Sequence, residues 1–369
     1  MDSVLVWQQD IWHKLMRNRA FRCHAVLLKG RKGIGKFTFA RLMAKSLLCL
    51  SPDADNAACG KCTSCNWFEQ HTHPNFRMLS PEALSAALNS QMDSTDDPKH
   101  EGDEQQQAAT GKMKKKPGQQ IGIDQIRGLN ELVYLSGHQS SYKIVLIYPA
   151  ETMNAAAANA LLKKLEEPPE GTLFILVSHQ SERLLPTIRS RCQQIAMPIP
   201  DTETANQWLM QKMQQQSGFQ NVDKVSMLLA LSGFSPLSAL SLIDKIPQHQ
   251  RFMEEIGSLQ RFDPLALAET LQNQDLAVTI DWLQKWCYDM VSFHATGKVR
   301  YHPHLAVQIQ AVCRQSNQQA CVAYLHFLNT RQPLSRHPVN ARLFLEEIFI
   351  NYGKLLASAT SSYPSLPVF

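Results

Sequence analysis

Between His24 and Cys49 the chain reads HAVLLKGRKGIGKFTFARLMAKSLLC, and this stretch restricts the fold more than any other. The stretch from Ala25 to Lys29 reads as a buried strand. A glycine-bearing turn follows, then an amphipathic helix with Phe39, Leu42, Met43, Leu47 and Leu48 on its apolar face. The turn, Gly30-Arg31-Lys32-Gly33-Ile34-Gly35-Lys36, fits the phosphate-cradling pattern G-x-x-x-x-G-K. Gly30, Gly33 and Gly35 let backbone N–H groups face a phosphate, the helix N-terminus adds positive dipole, and Lys36 supplies a point charge. After the lysine such loops carry a Ser or Thr hydroxyl that ligates Mg²⁺. Here that position is Phe37, and Thr38 lies one residue later, about 100° round the helix axis. The cradle is kept and the metal ligand is lost.

A second run, Tyr142-Lys-Ile-Val-Leu-Ile-Tyr148, is apolar almost throughout, the mark of a strand buried on both faces of a parallel sheet. In a phosphate-loop ATPase such a strand ends in an acid that holds Mg²⁺, followed by a carboxylate that polarises the attacking water. This one ends Ile147-Tyr148-Pro149-Ala150-Glu151, so a phenol and a proline stand at the two acidic positions and Glu151 belongs to the next loop. Leu173 to Ser178 reads as a further buried strand.

At 369 residues the chain exceeds one ordinary core, and two or three domains are expected. The N-terminus, MDSVLVWQQDIWHKLMRN, is broken by Gln, Asp and His and makes neither a signal peptide nor a membrane span; it reads as a helix packed on the sheet. A cytoplasmic location is expected, with the nine cysteines reduced. A net charge of +5 permits contact with nucleic acid without requiring it.

Four of those cysteines, Cys49, Cys59, Cys62 and Cys65, follow the spacing C-x9-C-x2-C-x2-C. Such a set makes a four-sulfur tetrahedral shell suited to Zn²⁺, and with four protein ligands the site is structural. Cys23, Cys192, Cys287, Cys313 and Cys321 are scattered and read as small core residues. His71 and His73 read as turn or cap residues. From about 86 to 120 the composition turns polar, with charge blocks and a glutamine run, and a disordered insertion is expected. Its Lys112, Lys114, Lys115 and Lys116 read as a solvated charge run, with contact to a nucleic-acid backbone as the alternative. Asp124 is placed as the cap of a helix reaching Leu135, and Asn154 as the cap of AAAANALLKKLEE, which Pro168 and Pro169 end.

The segment NAAAANALLKKLEEPPEGTLFILVSHQSERLLPTIRSRC resembles the bacterial clamp-loader branch of the AAA+ ATPases, and Ser190-Arg191-Cys192 matches that branch's Ser-Arg-Cys signature. The resemblance runs from residue 1 to about 245. It implies an α/β plus all-α chain in three domains. An AAA+ phosphate-loop parallel-sheet domain spans 1–199, with the zinc module at 49–65 inserted. A small helical lid domain spans 200–245, and a helical oligomerisation (collar) domain 246–369. Phe37, Tyr148 and Pro149 depart from the motor subunits in one direction, so the implied role is the non-hydrolysing partner that closes the pentameric loader of DNA polymerase III. ATP or ADP can bind such a loop, and hydrolysis is not expected. The implied partners are the motor subunits and the delta subunit, and through them the sliding clamp and primed DNA, with no membrane.

In rings of this family the Ser-Arg-Cys arginine lies against the γ-phosphate of a neighbour's ATP, and Arg191 takes that position here. A guanidinium suits the task, being permanently charged and able to bind phosphate oxygens bidentately. Supplied in trans, such a finger is worth about 10³–10⁵ in turnover. The alternative for Arg191 is a salt bridge at a helix end, and Arg189 is the second candidate for the finger. Gly233-Phe-Ser-Pro-Leu-Ser238 resembles the turn where a motor offers an arginine to its own nucleotide, and none is present. Trp208, Leu209, Met213, Val225, Leu228, Leu229 and Leu231 are expected in the lid core. Further helices are expected at 266–271, 277–293, 305–314, 320–330 and 341–356, with a frayed tail from Ala357. Two rivals stand beside this: an active motor ATPase, which needs the missing acids, and a zinc-containing DNA-binding protein, which predicts salt-sensitive DNA binding by the chain alone.

Overall fold

The computed structural model describes residues 3–17, 23–85, 118–130, 142–217, 222–258 and 262–359. It divides at Pro200 into two compact units, 1–200 and 201–369. Most of the polar insertion, the Lys112–Lys116 cluster, the 131–135 end of the helix expected from Asp124, and the tail beyond residue 359 lie outside the described residues.

The first unit is built on five parallel strands: β1 (Ala25–Lys29), β2 (Phe76–Leu79), β3 (Lys143–Ile147), β4 (Thr172–Ser178) and β5 (Gln193–Ala196), in the order β2-β3-β4-β1-β5. Their registers pair Leu27 with Leu176 and Val145 with Phe174. The side-chain period of two distributes each strand to both faces of the sheet. Val26, Leu28, Ile144, Leu146, Leu173, Ile175 and Val177 form one core, together with residues of α1 (Gln9–Met16) and α2 (Lys36–Leu48). Ala25, Leu27, Val145, Ile147, Phe174 and Leu176 form the other, with α4 (Ile123–Arg127), α5 (Ala155–Glu166) and α6 (Pro186–Arg191). Burial of each Leu or Ile here stabilises by about 1.5–3 kcal/mol relative to exposure. Between α2 and β2 lies α3 (Thr63–Glu69).

Several local expectations need correction. Asp124 does not cap α4: Gly122 is the N-cap, its N–H bonded to Gln125 Oε1, and Asp124 sits in the first turn. Gly122 has no side chain to accept from the first turn, and the contact made at this helix start is Gln125 Oε1 accepting from the Gly122 N–H. The edge strand β5 carries no apolar run in the sequence, since only Ile195 of its four residues is buried. Asn154 does cap α5, accepting from the Ala157 N–H at 2.8 Å. His73 acts in a turn, its Nδ1 accepting from the Asn75 N–H while Nε2 meets Ser64 Oγ.

The second unit is helical. The helices α7 (Thr202–Ser217), α8 (Val222–Leu231) and α9 (Pro236–Leu240) enclose a small core of Ala205, Leu209, Met213, Val225, Leu228, Leu229 and Ala239. Trp208 is only partly buried against it, and Leu231, at the end of α8, belongs instead to a larger core. That core is built from α10 (Ile246–Gly257), α11 (Pro264–Leu271), α12 (Leu276–Thr296), α13 (Ala306–Cys313), α14 (Gln318–Arg331) and α15 (Ala341–Leu356). The helix α10 was not among the expected spans. Its apolar residues Phe252, Met253 and Ile256 share the buried face with His249.

A buried polar chain ties α10 to α12. The Asp289 carboxylate accepts from the backbone N–H groups of Arg300, Tyr301 and His302 and from His302 Nδ1, and His302 Nε2 lies 3.2 Å from His249 Nε2. Cys287, Cys313 and Cys321 are buried in the same core as small apolar residues. Among the described residues, no helix is long and apolar enough to cross a membrane.

Candidate functional site

The carboxyl ends of β1, β4 and β3 are neighbours, and in an open parallel sheet that edge is where ligands bind. The glycine turn leaves β1 there. Gly30, Gly33 and Gly35 all have positive φ, and Gly35, at φ 89°, starts α2. A Cβ on Gly35 would stand 2.3 Å from Leu5 Cδ1 and force that side chain to move, and the positive φ strains any other residue there. The N-terminal segment is bound to the same turn: Trp7 Nε1 and Gln8 Nε2 both donate to the Ile34 carbonyl, at 3.1 and 2.8 Å.

Lys36 is buried in the turn, and its ammonium donates to the carbonyls of Gly30 (2.7 Å) and Arg31 (2.5 Å). Burial lowers its pKa to about 8, against the opposing pull of Glu151. Phe37 lies flat on Tyr148, ring centroids 4.4 Å apart. Tyr148 in turn meets the edge of His179 at 5.6 Å. Burial, then the Glu151 charge, raises the Tyr148 phenol above its ordinary value. Burial, then Lys36 and Lys32, lowers His179 to about 3, so its imidazole is neutral at physiological pH.

Glu151 stands closer to this site than the sequence suggested. It sits in a 3-10 turn after β3, yet its carboxylate folds back so that Oε1 accepts from the His179 N–H at 3.0 Å. Its other oxygen and both His179 ring nitrogens are buried without a protein hydrogen-bond partner. Sequence reasoning did not single out His179. Its one signal was its place immediately after β4, the strand beside β1.

At the C-terminus of α6, Arg191 is tied from two directions. Its Nη2 lies 2.7 Å from Glu166 Oε1 at the end of α5, and its Nη1 donates to the Thr187 carbonyl at 3.1 Å. The side chain remains about one-third exposed. Arg189 differs, its Nε being buried without a partner. Cys192 packs inward, and burial pushes its thiol up to about 12, with the Cys23 charge adding to the rise.

The structure also gathers the four spaced cysteines. All four Sγ atoms of Cys49, Cys59, Cys62 and Cys65 lie within 4.8 Å of one another, with Cys49 at 3.6 Å from Cys59 and 3.8 Å from Cys62. A tetrahedron with Zn–S bonds near 2.3 Å has sulfur separations of about 3.8 Å, so the donor set fits the ion. Backbone N–H groups of Cys59, Cys62 and Cys65 point at cysteine sulfurs, the arrangement that stabilises thiolates. The Cys49 end of α2 and the start of α3, where Cys62 is the N-cap, bring the two halves of the set together.

The family model described as "DNA polymerase III, delta subunit" matches residues 8–201, and "DNA polymerase III, delta subunit, C terminal" matches residues 244–353. The DNA polymerase III subunit delta' of Pseudomonas aeruginosa is 32% identical over 363 residues, covering 96% of this chain and 99% of that one. The protein of the same name from Haemophilus influenzae is 28% identical, over 94% and 95% of the two chains. Among solved structures, a DNA polymerase III gamma subunit-related protein of Thermotoga maritima superposes with a TM-score of 0.42 at 15% identity, over 95% of this chain and 99% of that one. At 32% identity over 96% of its length, with both family models matched, the chain belongs to the DNA polymerase III delta-prime family.

Proposed function

We propose that this chain completes, without hydrolysing ATP itself, the ring that opens the sliding clamp and places it on primed DNA, and that it lends Arg191 to a neighbouring subunit's ATP. The observation that carries the first half is the stacked pair Phe37 and Tyr148 at the mouth of the phosphate loop. Mg²⁺ requires hard oxygen ligands in near-octahedral geometry. A phenyl ring and Pro149 offer none, and Tyr148 is a neutral phenol. Glu151 is a carboxylate beside the loop, held back by the bond from the His179 N–H to its Oε1. The glycines and Lys36 can still receive the phosphates of ATP or ADP, provided Lys36 leaves the carbonyls of Gly30 and Arg31.

The second half rests on the half-open position of Arg191 at the end of α6. Its partners in this reading are the motor subunits and the delta subunit, with clamp and primed DNA reached through the complex in the cytoplasm. Residues 1–199 form the nucleotide-fold domain, 200–245 the lid, and 246–369 the collar that joins the neighbours. Cys49, Cys59, Cys62 and Cys65 hold a structural Zn²⁺, which cross-links the end of α2 to α3.

The test is co-purification with the other loader subunits followed by ATP turnover with and without this chain. Arg191→Ala is expected to assemble normally and to depress turnover of the complete loader. Hydrolysis by the purified chain alone at the rate of a motor subunit would falsify the non-hydrolysing role.

A further inference from the structure

We propose that Glu166 is a positioning residue for Arg191, holding the guanidinium in the orientation in which it meets a neighbour's triphosphate. This rests on the reading of Arg191 as the finger. The two residues end adjacent helices: Glu166 closes α5, just before Pro168 and Pro169 stop it, and Arg191 closes α6. The ion pair at 2.7 Å and the bond from Nη1 to the Thr187 carbonyl at 3.1 Å hold the guanidinium from two sides.

Those contacts use two of the five N–H groups that a guanidinium carries. The other three have no bond among the described residues, enough for bidentate contact with phosphate oxygens while both restraints persist. A long arginine at a helix end has many rotamers, and most of that freedom must be lost when it docks. A carboxylate that already fixes the plane removes the loss beforehand and places the charge in advance of the transition state. Exposure of about one-third for Arg191 and one-half for Glu166 leaves the cation reachable from outside while it is held. Thr187 supplies a backbone carbonyl, which no substitution at that position removes, so Glu166 is the adjustable member of the pair of restraints.

A merely structural pair, tying α6 to α5, would look the same in a static view. The two roles separate in a double-mutant cycle. The experiment uses a reconstituted loader in which the subunit receiving Arg191 is the one with a working phosphate loop. It reads clamp- and DNA-stimulated ATP turnover, with thermal melting of each purified variant as the control for folding. Glu166→Ala is expected to lower kcat about three- to ten-fold, the worth of one partly exposed charge-assisted contact, with KM for ATP and melting temperature little changed. Glu166→Gln keeps an acceptor oxygen without the charge and should fall between Ala and the native residue. In an Arg191→Ala background, Glu166→Ala should change nothing further. A Glu166→Ala loader as fast as the native one overturns the positioning role, as does the same factor lost again in the Arg191→Ala background. Undiminished turnover with Arg191→Ala overturns the finger reading, and this inference with it.

Discussion

Phe37 and Tyr148 stack face to face with centroids 4.4 Å apart, one at the start of α2 and the other just past β3. Two positions at which a working phosphate-loop enzyme places oxygens are thus joined into one apolar contact. In the proposed reading each residue stands where a metal ligand would be, and the two rings pack on each other instead. Restoring one oxygen therefore does not restore the site. Phe37→Ser is expected to leave ATP hydrolysis by the purified chain at background, measured as Mg²⁺-dependent phosphate release. Turnover appearing in that single variant would mean that Tyr148 and Pro149 do not block the chemistry.

The four-cysteine cluster predicts one equivalent of zinc per chain by elemental analysis. Cys62→Ser removes the ligand that is also the N-cap of α3, so both the ion and the helix start are lost. Melting temperature should fall by roughly 5–10 °C, as a loss of a few kcal/mol produces in a unit of this size. Retention of a full zinc equivalent in that variant would contradict the ligand set.

Acid should weaken the second unit through His249. Burial, then His302, His304 and Lys285, lowers its folded pKa to about 3, while the unfolded chain takes up its proton near the ordinary 6.5. Between those values the unfolded state binds more protons. Stability is therefore complete above about pH 6.5 and declines as pH falls toward 3. At pH 5 the loss from this one group is about 1–2 kcal/mol. Denaturant unfolding of native protein and His249→Asn at pH 7 and pH 5 checks it, the variant showing the smaller pH effect.

Tyr352 holds a buried relay: Trp286 Nε1 donates to its hydroxyl at 2.9 Å, and the hydroxyl donates to the Ile256 carbonyl at 3.0 Å. Tyr352→Phe keeps the ring and strands both partners away from water. Unsatisfied buried groups cost about 1–3 kcal/mol each, so the variant should melt several degrees lower despite its near-identical shape. An unchanged melting temperature would show that water reaches the vacated position.

Much of the first unit was legible because its signals are local. The runs Ala25–Leu28, Ile144–Ile147 and Leu173–Val177 are apolar without a break, as strands buried on both faces must be. Asn154 before an alanine-rich helix and the close spacing of Cys59, Cys62 and Cys65 carry their roles in a few residues. The edge strand β5 was not legible, since Gln193, Gln194 and Ala196 face outward and show no apolar run. The Gly122 cap is illegible for a similar reason: glycine has no capping side chain, its N–H is bonded by Gln125, and Asp124 beside it is the residue type that ordinarily caps.

By itself the sequence determined the family and the four-cysteine set, and it supplied the glycine turn ending in Phe37 and the Ser190-Arg191-Cys192 triplet on which the proposed roles rest, because each is a matter of residue type at short spacing. Tertiary structure alone decided what those residues touch. Glu151 returns to His179 beside Lys36, Glu166 reaches Arg191 across two helix ends, and Asp289, His302 and His249 form one chain from three separated segments. Such pairings depend on where strands and helices end in space. A one-dimensional pattern of apolar and polar residues fixes which face is buried, and carries no record of which distant side chain meets it there.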